Sequence, residues 1–274
     1  MKKHCIVFLI FFATFAANYS YGYTVLYDAT LNGGNQTPDL QGFDIYKKDI
    51  NVNPLYAPSA ADGLFTLKTY GGSGKAEDYS FGYQTHNKLT DQVIHPLMEG
   101  TTLDRYQPGG FSLFFRLRIA DEYSWPNQNR AGFSVLLISS DLHGIQLNFW
   151  EDKVWVFNSN NGQVAQSYTT NTTSALKDYE LNFEGDIYRL FINGTQRLTG
   201  SIYDFAVTNP ESQTTYPNNI LFGDITKLGY STTQIVYFAI EGETREQVVP
   251  EPMTICLFLI ALGSLKFRKR LNCY

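Results

Sequence analysis

Short stretches in which apolar and polar residues alternate recur along the chain, and turn-forming residues separate them. In 110–119, every second residue from Phe111 to Ile119 is apolar, and most of the residues between them are polar. Successive side chains of a strand point to opposite faces, so this pattern predicts a strand with one buried face. The same reasoning predicts strands at 24–28, 63–70, 133–139, 144–150, 154–158, 179–183, 187–192, 196–198, 220–222 and 234–241.

Short polar segments predict how these strands connect. Residues 151–153 and 184–186 each separate two strands and predict hairpins, and Asn193-Gly194 favours a turn with positive backbone angles. Polar stretches at 121–130, 167–174 and 209–219 predict loops, and no stretch has helical periodicity over three turns. Many short strands without helices indicate an all-β fold, an antiparallel β-sandwich or barrel, which we place at 23–243.

The N-terminus has the pattern of a secretory signal peptide. Lys2 and Lys3 precede an apolar run that extends to about Ala17, and a polar stretch follows. A basic segment before a short apolar segment is typical of an export signal. Residues 1–22 are therefore predicted to be removed, with cleavage after Ala17 or after Gly22.

The C-terminus (244–274) combines three features in a fixed order. The motif Pro250-Glu251-Pro252 (within 249–252) precedes an apolar segment at 253–265, which is shorter than the ~20 residues of a stable membrane span. A basic stop follows within 266–270, formed by Lys266, Arg268, Lys269 and Arg270. Positive charges after an apolar segment hold that end on the cytoplasmic side.

These three features together resemble the PEP-CTERM sorting signal of Gram-negative bacteria. The resemblance implies a transient inner-membrane segment and an exosortase-type enzyme that removes the tail. It also implies release to the cell surface or to an extracellular, exopolysaccharide-rich biofilm matrix. An ordinary tail anchor is the alternative, and the four residues after the basic stop depart from the family pattern.

The charge of the chain argues against one class of partner, and the positions of its cysteines argue against disulfides in the body. Six of the 21 basic residues and one of the 26 acidic residues lie at 1–22 and 249–274, which leaves 15 basic against 25 acidic residues at 23–248. An acidic body argues against nucleic acid, because phosphate binding needs a basic face. Cys5, Cys256 and Cys273 all lie in the end segments, so the body forms no disulfide.

The order of strands resembles a concanavalin A-like (jelly-roll, laminin-G-like) sandwich, and the hairpin at 187–195 with its Asn-Gly turn carries that likeness. A closer resemblance is to the choice-of-anchor Y domain, in residues 24–29, 130–135, 140–142, 144–145, 149–152 and 222–224. That family implies a bacterial surface protein with an interchangeable anchor. Arg130 and Asp141 match its motif, and a structural ion pair between them is the alternative.

No catalytic residue is predicted. Jelly-roll glucanases need two carboxylates, which related enzymes carry in a Glu-x-Asp-x-x-Glu run, and the chain has no such run. The acidic pair Glu151-Asp152 is sequential and falls in a predicted turn. His86, His95 and His143 lack metal-ligand spacing, and we expect no cofactor. Structural calcium is the exception that related sandwiches suggest, with scattered candidates in Asp28, Asp141 and Asp224.

Tryptophans are the candidate glycan contacts. Trp150 and Trp155 flank the predicted hairpin turn, and Trp125 lies in a polar loop. Indoles stack on sugar rings, but capping of the core edge is the simpler explanation. We therefore expect an exported, non-enzymatic surface or matrix protein that binds exopolysaccharide or is structural. A jelly-roll hydrolase or lyase with an unrecognised site is the alternative.

Overall fold

The computed structural model describes residues 22–47, 59–69, 81–87, 92–124, 131–158, 163–208, 216–225, 229–242 and 244–245. The chain separates into two units, Met1–Thr244 and Arg245–Tyr274. The fold described below belongs to the first unit.

The first of two large sheets, sheet A, is antiparallel and has eight strands. Its order is β16-β15-β14-β9-β19-β4-β3, and β1 pairs with β19. Its strands are β1 (Thr24–Asp28), β3 (Ser59–Ala61), β4 (Leu64–Lys68), β9 (Phe111–Ser124), β14 (Lys177–Glu184), β15 (Ile187–Ile192), β16 (Thr195–Ser201) and β19 (Gly229–Glu241).

The second, sheet B, is also antiparallel with eight strands. Its order is β13-β12-β11-β10-β18-β5-β2, and β17 pairs with β11. Its strands are β2 (Asp44–Lys47), β5 (Phe81–Gln84), β10 (Phe133–Ile138), β11 (His143–Phe149), β12 (Lys153–Asn158), β13 (Gln163–Thr169), β17 (Tyr203–Asp204) and β18 (Asn219–Asp224). The remaining elements are β6 (His86–Asn87), β7 (Gln92–Val93), β8 (Thr101–Thr102), β20 (Thr244–Arg245), the one-turn helix α1 (Phe205–Thr208) and 3₁₀ turns at Leu31–Gly33 and Pro38–Gln41.

Aromatic side chains join the two sheets into one core. Phe238 of sheet A stacks on Phe222 of sheet B with ring centroids 4.3 Å apart. Phe115 of sheet A contacts Phe149 of sheet B at 6.3 Å. All four rings are fully buried, and burial of one such side chain contributes roughly 1.5–3 kcal/mol. The described part of the body contains no cysteine, so this burial and the sheet hydrogen bonds stabilise it.

The structure confirms the predicted antiparallel all-β sandwich and corrects several boundaries. The strand predicted at 110–119 continues to Ser124, so the loop predicted at 121–130 begins later than expected. β13 occupies Gln163–Thr169, where the sequence predicted a loop from 167. Strands β2 and β5 were not predicted. β2 has its two apolar residues side by side, and β5 has only four residues with a glycine between its aromatic ones, so neither shows clear alternation of apolar and polar residues.

Buried polar groups close one end of the sandwich beside Gly132. The hydroxyls of Thr69 and Ser231 each donate to the Gly132 carbonyl oxygen at 3.0 Å. A Cβ at Gly132 would lie 2.1 Å from the carbonyl carbon and oxygen of Tyr230. Glycine is therefore required here by close backbone approach.

No helix among the described residues is both long and apolar enough to span a bilayer. The predicted signal peptide (1–22, apart from Gly22), the sorting motif Pro250-Glu251-Pro252, the segment 253–265 and the basic stop lie outside the described residues.

Candidate functional site

The outer face of sheet B carries a row of side chains that runs across neighbouring strands. The strand register aligns Trp155 with Asn148, Asn148 with Ser134, and Ser134 with Gly223. Gly82 of β5 continues the row beside Gly223. Neighbours on either side of Trp155 and Asn148 in sequence point into the core, so this row faces away from it. The result is a polar strip with small residues in the middle and an indole at one end.

Two amide side chains form the centre of this strip. The Ser134 hydroxyl donates to the Asn148 amide oxygen at 2.6 Å, and the Gln146 amide nitrogen donates to the same oxygen at 2.8 Å. Ser134 and Asn148 are fully buried, and Gln146 nearly so. The amides are neutral at any ordinary pH, so they can donate and accept hydrogen bonds but cannot act as an acid or a base.

The spacing of these amides matches the Glu-x-Asp-x-x-Glu run of jelly-roll glucanases. Gln146, Asn148 and Glu151 occupy the three positions of Glu-x-Asp-x-x-Glu, with amides in the first two. Gln146 and Asn148 lie two residues apart on β11, so they share one face of the sheet. A search for isosteric amides at the same spacing would have found this strip, whereas a search for carboxylates alone missed it.

The hairpin between β11 and β12 brings two tryptophans together on the same side. The rings of Trp150 and Trp155 meet edge to face with centroids 5.5 Å apart. The Lys153 ammonium lies 3.8 Å from the centroid of the Trp150 ring, a cation–π contact. Trp155 is fully buried and Trp150 is partly exposed. Trp150 is therefore the indole that can stack on a sugar, and Trp155 supports it from below.

The tip of the same hairpin brings a carboxylate to the end of sheet A. Glu151 Oε1 accepts a hydrogen bond from the backbone N–H of Glu122 on β9 at 3.4 Å. Glu122 Oε1 accepts from the N–H of Gly132 at 3.4 Å. The structure thus brings Glu122, which is distant in sequence, to Glu151. Sequence reasoning considered only the adjacent Glu151-Asp152 pair and placed residue 122 in a loop.

A second loop holds the hairpin in place. The Thr172 hydroxyl donates to the carbonyl oxygens of Trp150 at 2.6 Å and Glu151 at 3.1 Å. The N–H of Thr170 donates to the Asp152 carbonyl at 2.8 Å. Because Thr172 is fully buried, these bonds fix the direction in which the tip projects.

Asp141 forms an ion pair with Arg105. Arg105 Nε lies 2.9 Å from Asp141 Oδ2, and Arg105 Nη1 donates to the Gly185 carbonyl at 2.8 Å and to Asp186 Oδ1. Arg105 is buried and joins three connecting segments. Burial opposes ionisation of Asp141, but the hydrogen bonds from Arg105 and Ser139 prevail and lower its pKa. Arg130, the partner suggested by the sequence, lies outside the described residues, as does Trp125.

The histidines and the calcium candidates are dispersed. The His95 ring is buried, contacts Phe43 and hydrogen-bonds the Leu26 carbonyl oxygen at 3.0 Å, and burial lowers its pKa. His143 contacts Asp141 at the surface, and His86 stacks on Tyr216. Within the described ranges no group of three or more His, Cys, Asp or Glu side chains is placed to hold a metal ion. Asp28 hydrogen-bonds Thr30, and Asp224 lies buried near Tyr46.

Comparison with known proteins shows a likeness of fold alone. No family model matches the chain, and no curated protein matches it. Among solved structures, the laminarinase from Rhodothermus marinus is 12% identical with a TM-score of 0.48, over 82% of this chain and 100% of that chain. A carbohydrate esterase from Shiga toxin-encoding bacteriophage phi24B is 12% identical with a TM-score of 0.46, over 80% and 99%. The alginate lyase A1-II′ of polysaccharide lyase family-7 is 11% identical with a TM-score of 0.41, over 76% and 96%.

These comparisons contradict the expectation of a non-enzymatic domain. The solved proteins that resemble this chain over nearly their whole length are enzymes that act on carbohydrates. The expectation rested on the missing carboxylate run within a single strand. That reasoning was incomplete, because a pattern within one strand carries no information about carboxylates on separate strands.

Proposed function

We propose that the sandwich is a glycan-active hydrolase whose site lies where the β11–β12 hairpin meets the end of β9. The observation that carries the proposal is the hydrogen bond from the Glu122 backbone N–H to the Glu151 carboxylate, which places both glutamates at the end of the sandwich where the partly exposed indole of Trp150 lies. Glycoside hydrolysis needs two carboxyl groups on either side of the scissile bond, one as an acid and one as a base or nucleophile. An indole beside them offers a flat apolar surface for a sugar ring.

The amide strip has a separate role in this proposal. Gln146 and Asn148 are buried and cannot transfer protons, and they lie on the same face of the hairpin as Trp150 and Trp155. We assign them to support of the surface on which the glycan lies, and we assign the chemistry to Glu122 and Glu151.

The charge of the body favours neutral or amine-bearing glycans over polyuronates. With 15 basic and 25 acidic residues at 23–248, the protein repels a polyanion at low ionic strength. Lys153 is held against the Trp150 ring and balances only part of the negative charge of Glu151 and Asp152. A substrate without carboxylates avoids this repulsion.

The test is cleavage of a polysaccharide panel by the whole chain, with two readouts. New reducing ends report hydrolysis, and ultraviolet absorbance of an unsaturated sugar reports elimination. We expect reducing ends without that absorbance. Glu151→Gln and Glu122→Gln should each lower the rate by about 10²-fold or more, the scale of a lost general acid or base. Asp152→Asn, the same change in charge one residue away, should have little effect. An unsaturated product, or cleavage that survives both Gln variants, would contradict the assignment.

We also infer that the chain is exported and trimmed at its C-terminus. Support comes from the order of the signal peptide, the Pro250-Glu251-Pro252 motif, the short apolar segment and the basic stop. The expected partners are an exosortase-type enzyme and, transiently, the inner membrane, before release to the surface or an exopolysaccharide matrix. Replacement of the three motif residues by alanine in a host with the processing enzyme should leave a larger, membrane-held form. Unchanged size and location would show that the motif is not recognised.

A further inference from the structure

A pocket of about 600 Å³ opens on the outer face of sheet A, on the opposite side of the sandwich from the amide strip. The strand register explains it: Ala239 of β19 lies between Phe114 of β9 and Val25 of β1. A small side chain between two larger ones leaves a depression. Its volume falls in the range of roughly 300–1,000 Å³ that small-molecule sites occupy.

Aromatic rings line this pocket. The ring of Tyr23 meets that of Phe114 edge to face with centroids 4.7 Å apart, and Tyr23 remains 60% exposed. Tyr237, next to Arg116 across the sheet, contributes a third ring. Rings that present an exposed face attract sugar rings and cations alike. The lining therefore favours a ligand that has both an apolar face and a positive charge.

Carboxylates lie in and beside this lining and leave the local charge negative. Asp28 belongs to the lining, whereas Glu180 and Glu241 flank it on the same face of the sheet. Glu180 lies opposite Phe114 in the sheet register, and Glu241 lies opposite Ser112. The Ser112 hydroxyl is 3.5 Å from Glu180 Oε1, and neither glutamate has an ion-pair partner among the described residues. Burial, and then the charge of Glu241, raises the pKa of Glu180. The pKa of the Tyr23 phenol is also raised, first by burial and then by the charges of Glu241 and Glu180.

Arg116, the basic residue of the lining, has a carboxylate neighbour of its own. Its Nη1 is 3.8 Å from Asp178 Oδ1, and the Tyr237 hydroxyl donates to the same oxygen at 3.3 Å. The positive charge in the pocket is thus offset by Asp178, while Glu180 and Glu241 are not offset. Charge complementarity therefore selects a cationic ligand over an anionic one.

We propose that this pocket binds an amino-sugar unit of a polysaccharide, with its ammonium group toward Glu180 and Glu241 and its ring against Tyr23 and Phe114. An ammonium group alone would fill little of the volume. A hexosamine ring also offers hydroxyls to Tyr237 and to the polar rim. The pocket lies on the face opposite the proposed catalytic residues, so it would act as a surface site that holds a glycan chain. The proposal stands whether or not the domain cleaves glycans.

The test is calorimetric titration of the whole chain with a glucosamine tetramer, its fully N-acetylated form and a lysine tetrapeptide. Binding of the free-amine glycan, with at least tenfold weaker binding of the acetylated form, is expected because acetylation removes the charge and little else. Glu180→Gln and Glu241→Gln together should weaken binding at least tenfold, and Asp152→Asn on the other face should not. These changes are isosteric and lie on a half-exposed face, so the fold should survive, which far-UV circular dichroism checks.

Three outcomes would overturn the proposal. The first is equal affinity for the free and acetylated glycans, and the second is binding that is unaffected by the double glutamine variant. The third is tighter binding of the lysine peptide than of the amino sugar, which would make the pocket a peptide site. Cleavage assays on the same variants keep this result separate from the hydrolase proposal, because Glu180 and Glu241 lie outside that site.

Discussion

Arg105 offers the sharpest test of the electrostatics that hold this sandwich together. Its side chain is only 4% exposed, yet it reaches Asp141 and Asp186, whose side chains are 40% and 76% exposed, and it also donates to the Gly185 carbonyl. Arg105→Met keeps most of the apolar stem and removes the guanidinium. The change isolates the hydrogen bonds and charge pairing from the packing.

The expected loss of stability in Arg105→Met follows from the groups that Arg105 hydrogen-bonds. Hydrogen bonds to charged groups contribute roughly 1.5–3 kcal/mol in mutational series, whereas exposed ion pairs contribute about 0–1 kcal/mol. The bond to the half-exposed Asp141 falls between these limits, and the Gly185 carbonyl adds a bond at the lower end. We expect Arg105→Met to lower the free energy of unfolding by about 2 kcal/mol near neutral pH. Asp186 is left out of this figure because solvent surrounds it.

The stability lost in Arg105→Met should become smaller as the pH falls. The pKa of Asp141 is lower in the folded state than its ordinary value of 3.8, because the Arg105 and Ser139 hydrogen bonds outweigh its burial. A carboxyl whose pKa falls on folding stabilises the protein above its unfolded pKa, and this stabilisation disappears as the pH falls through the folded pKa. The difference between the parent protein and Arg105→Met should therefore shrink as the pH drops below about 4.

The assay is urea unfolding followed by tryptophan fluorescence at about pH 7 and about pH 3. Arg116→Met is the matched control, since Arg116 is 44% exposed and 3.8 Å from Asp178, a pair expected to contribute about 0–1 kcal/mol. An Arg105→Met loss that is equal at both pH values would mean that packing accounts for it. A loss no larger than that of the control would also refute the reasoning.

Three further predictions follow from the described contacts. Gly132→Ala should destabilise the fold by about 2 kcal/mol or more in urea titration, because its Cβ would lie 2.1 Å from the Tyr230 carbonyl group. Trp150→Ala should weaken glycan binding with little loss of stability, whereas Trp155→Ala should cost about 3–5 kcal/mol of stability, since Trp155 is fully buried. Burial, and then Asp224 and Tyr216, raises the pKa of Tyr46 to about 12. Its phenol should stay protonated in the folded state when exposed tyrosines ionise, and unfolding should become easier above about pH 10, as ultraviolet titration and denaturation can show.

Strand alternation was sufficient to predict the sandwich and most of its strands. The pattern from Phe111 to Ile119 marks one buried face, and the structure confirms that face as core. Alternation did not reveal that β9 continues after Ile119. An irregularity in the pairing of β9 with β19 at this point shifts which residues face inward. Alternation assumes an unbroken register, so a bulge disguises the end of a long strand as a polar loop.

The candidate site was harder to predict for a different reason. The proximity of Trp150 and Trp155 follows from a hairpin, which is local, and the sequence predicted that hairpin. The proximity of Glu122 and Glu151 depends on which strands meet at the end of the sandwich, and no pattern within either segment contains that information. The sequence did not predict that Arg105 pairs with Asp141 and Asp186, and the reason is the same. The three residues lie in segments that become adjacent only after folding.

Binding and chemistry are separable by mutation at the proposed site. Trp150 is the partly exposed indole, and Glu151, which carries the tip carboxylate, is the next residue. If Trp150 only binds the glycan, Trp150→Ala should raise KM and leave kcat nearly unchanged, since interactions that are equal in the ground and transition states affect binding alone. Glu151→Gln should lower kcat and leave KM nearly unchanged, because its proton transfer contributes only in the transition state. Steady-state kinetics of both variants on one cleaved glycan would decide, and a fall in kcat for Trp150→Ala as large as that for Glu151→Gln would place the indole within the reacting centre.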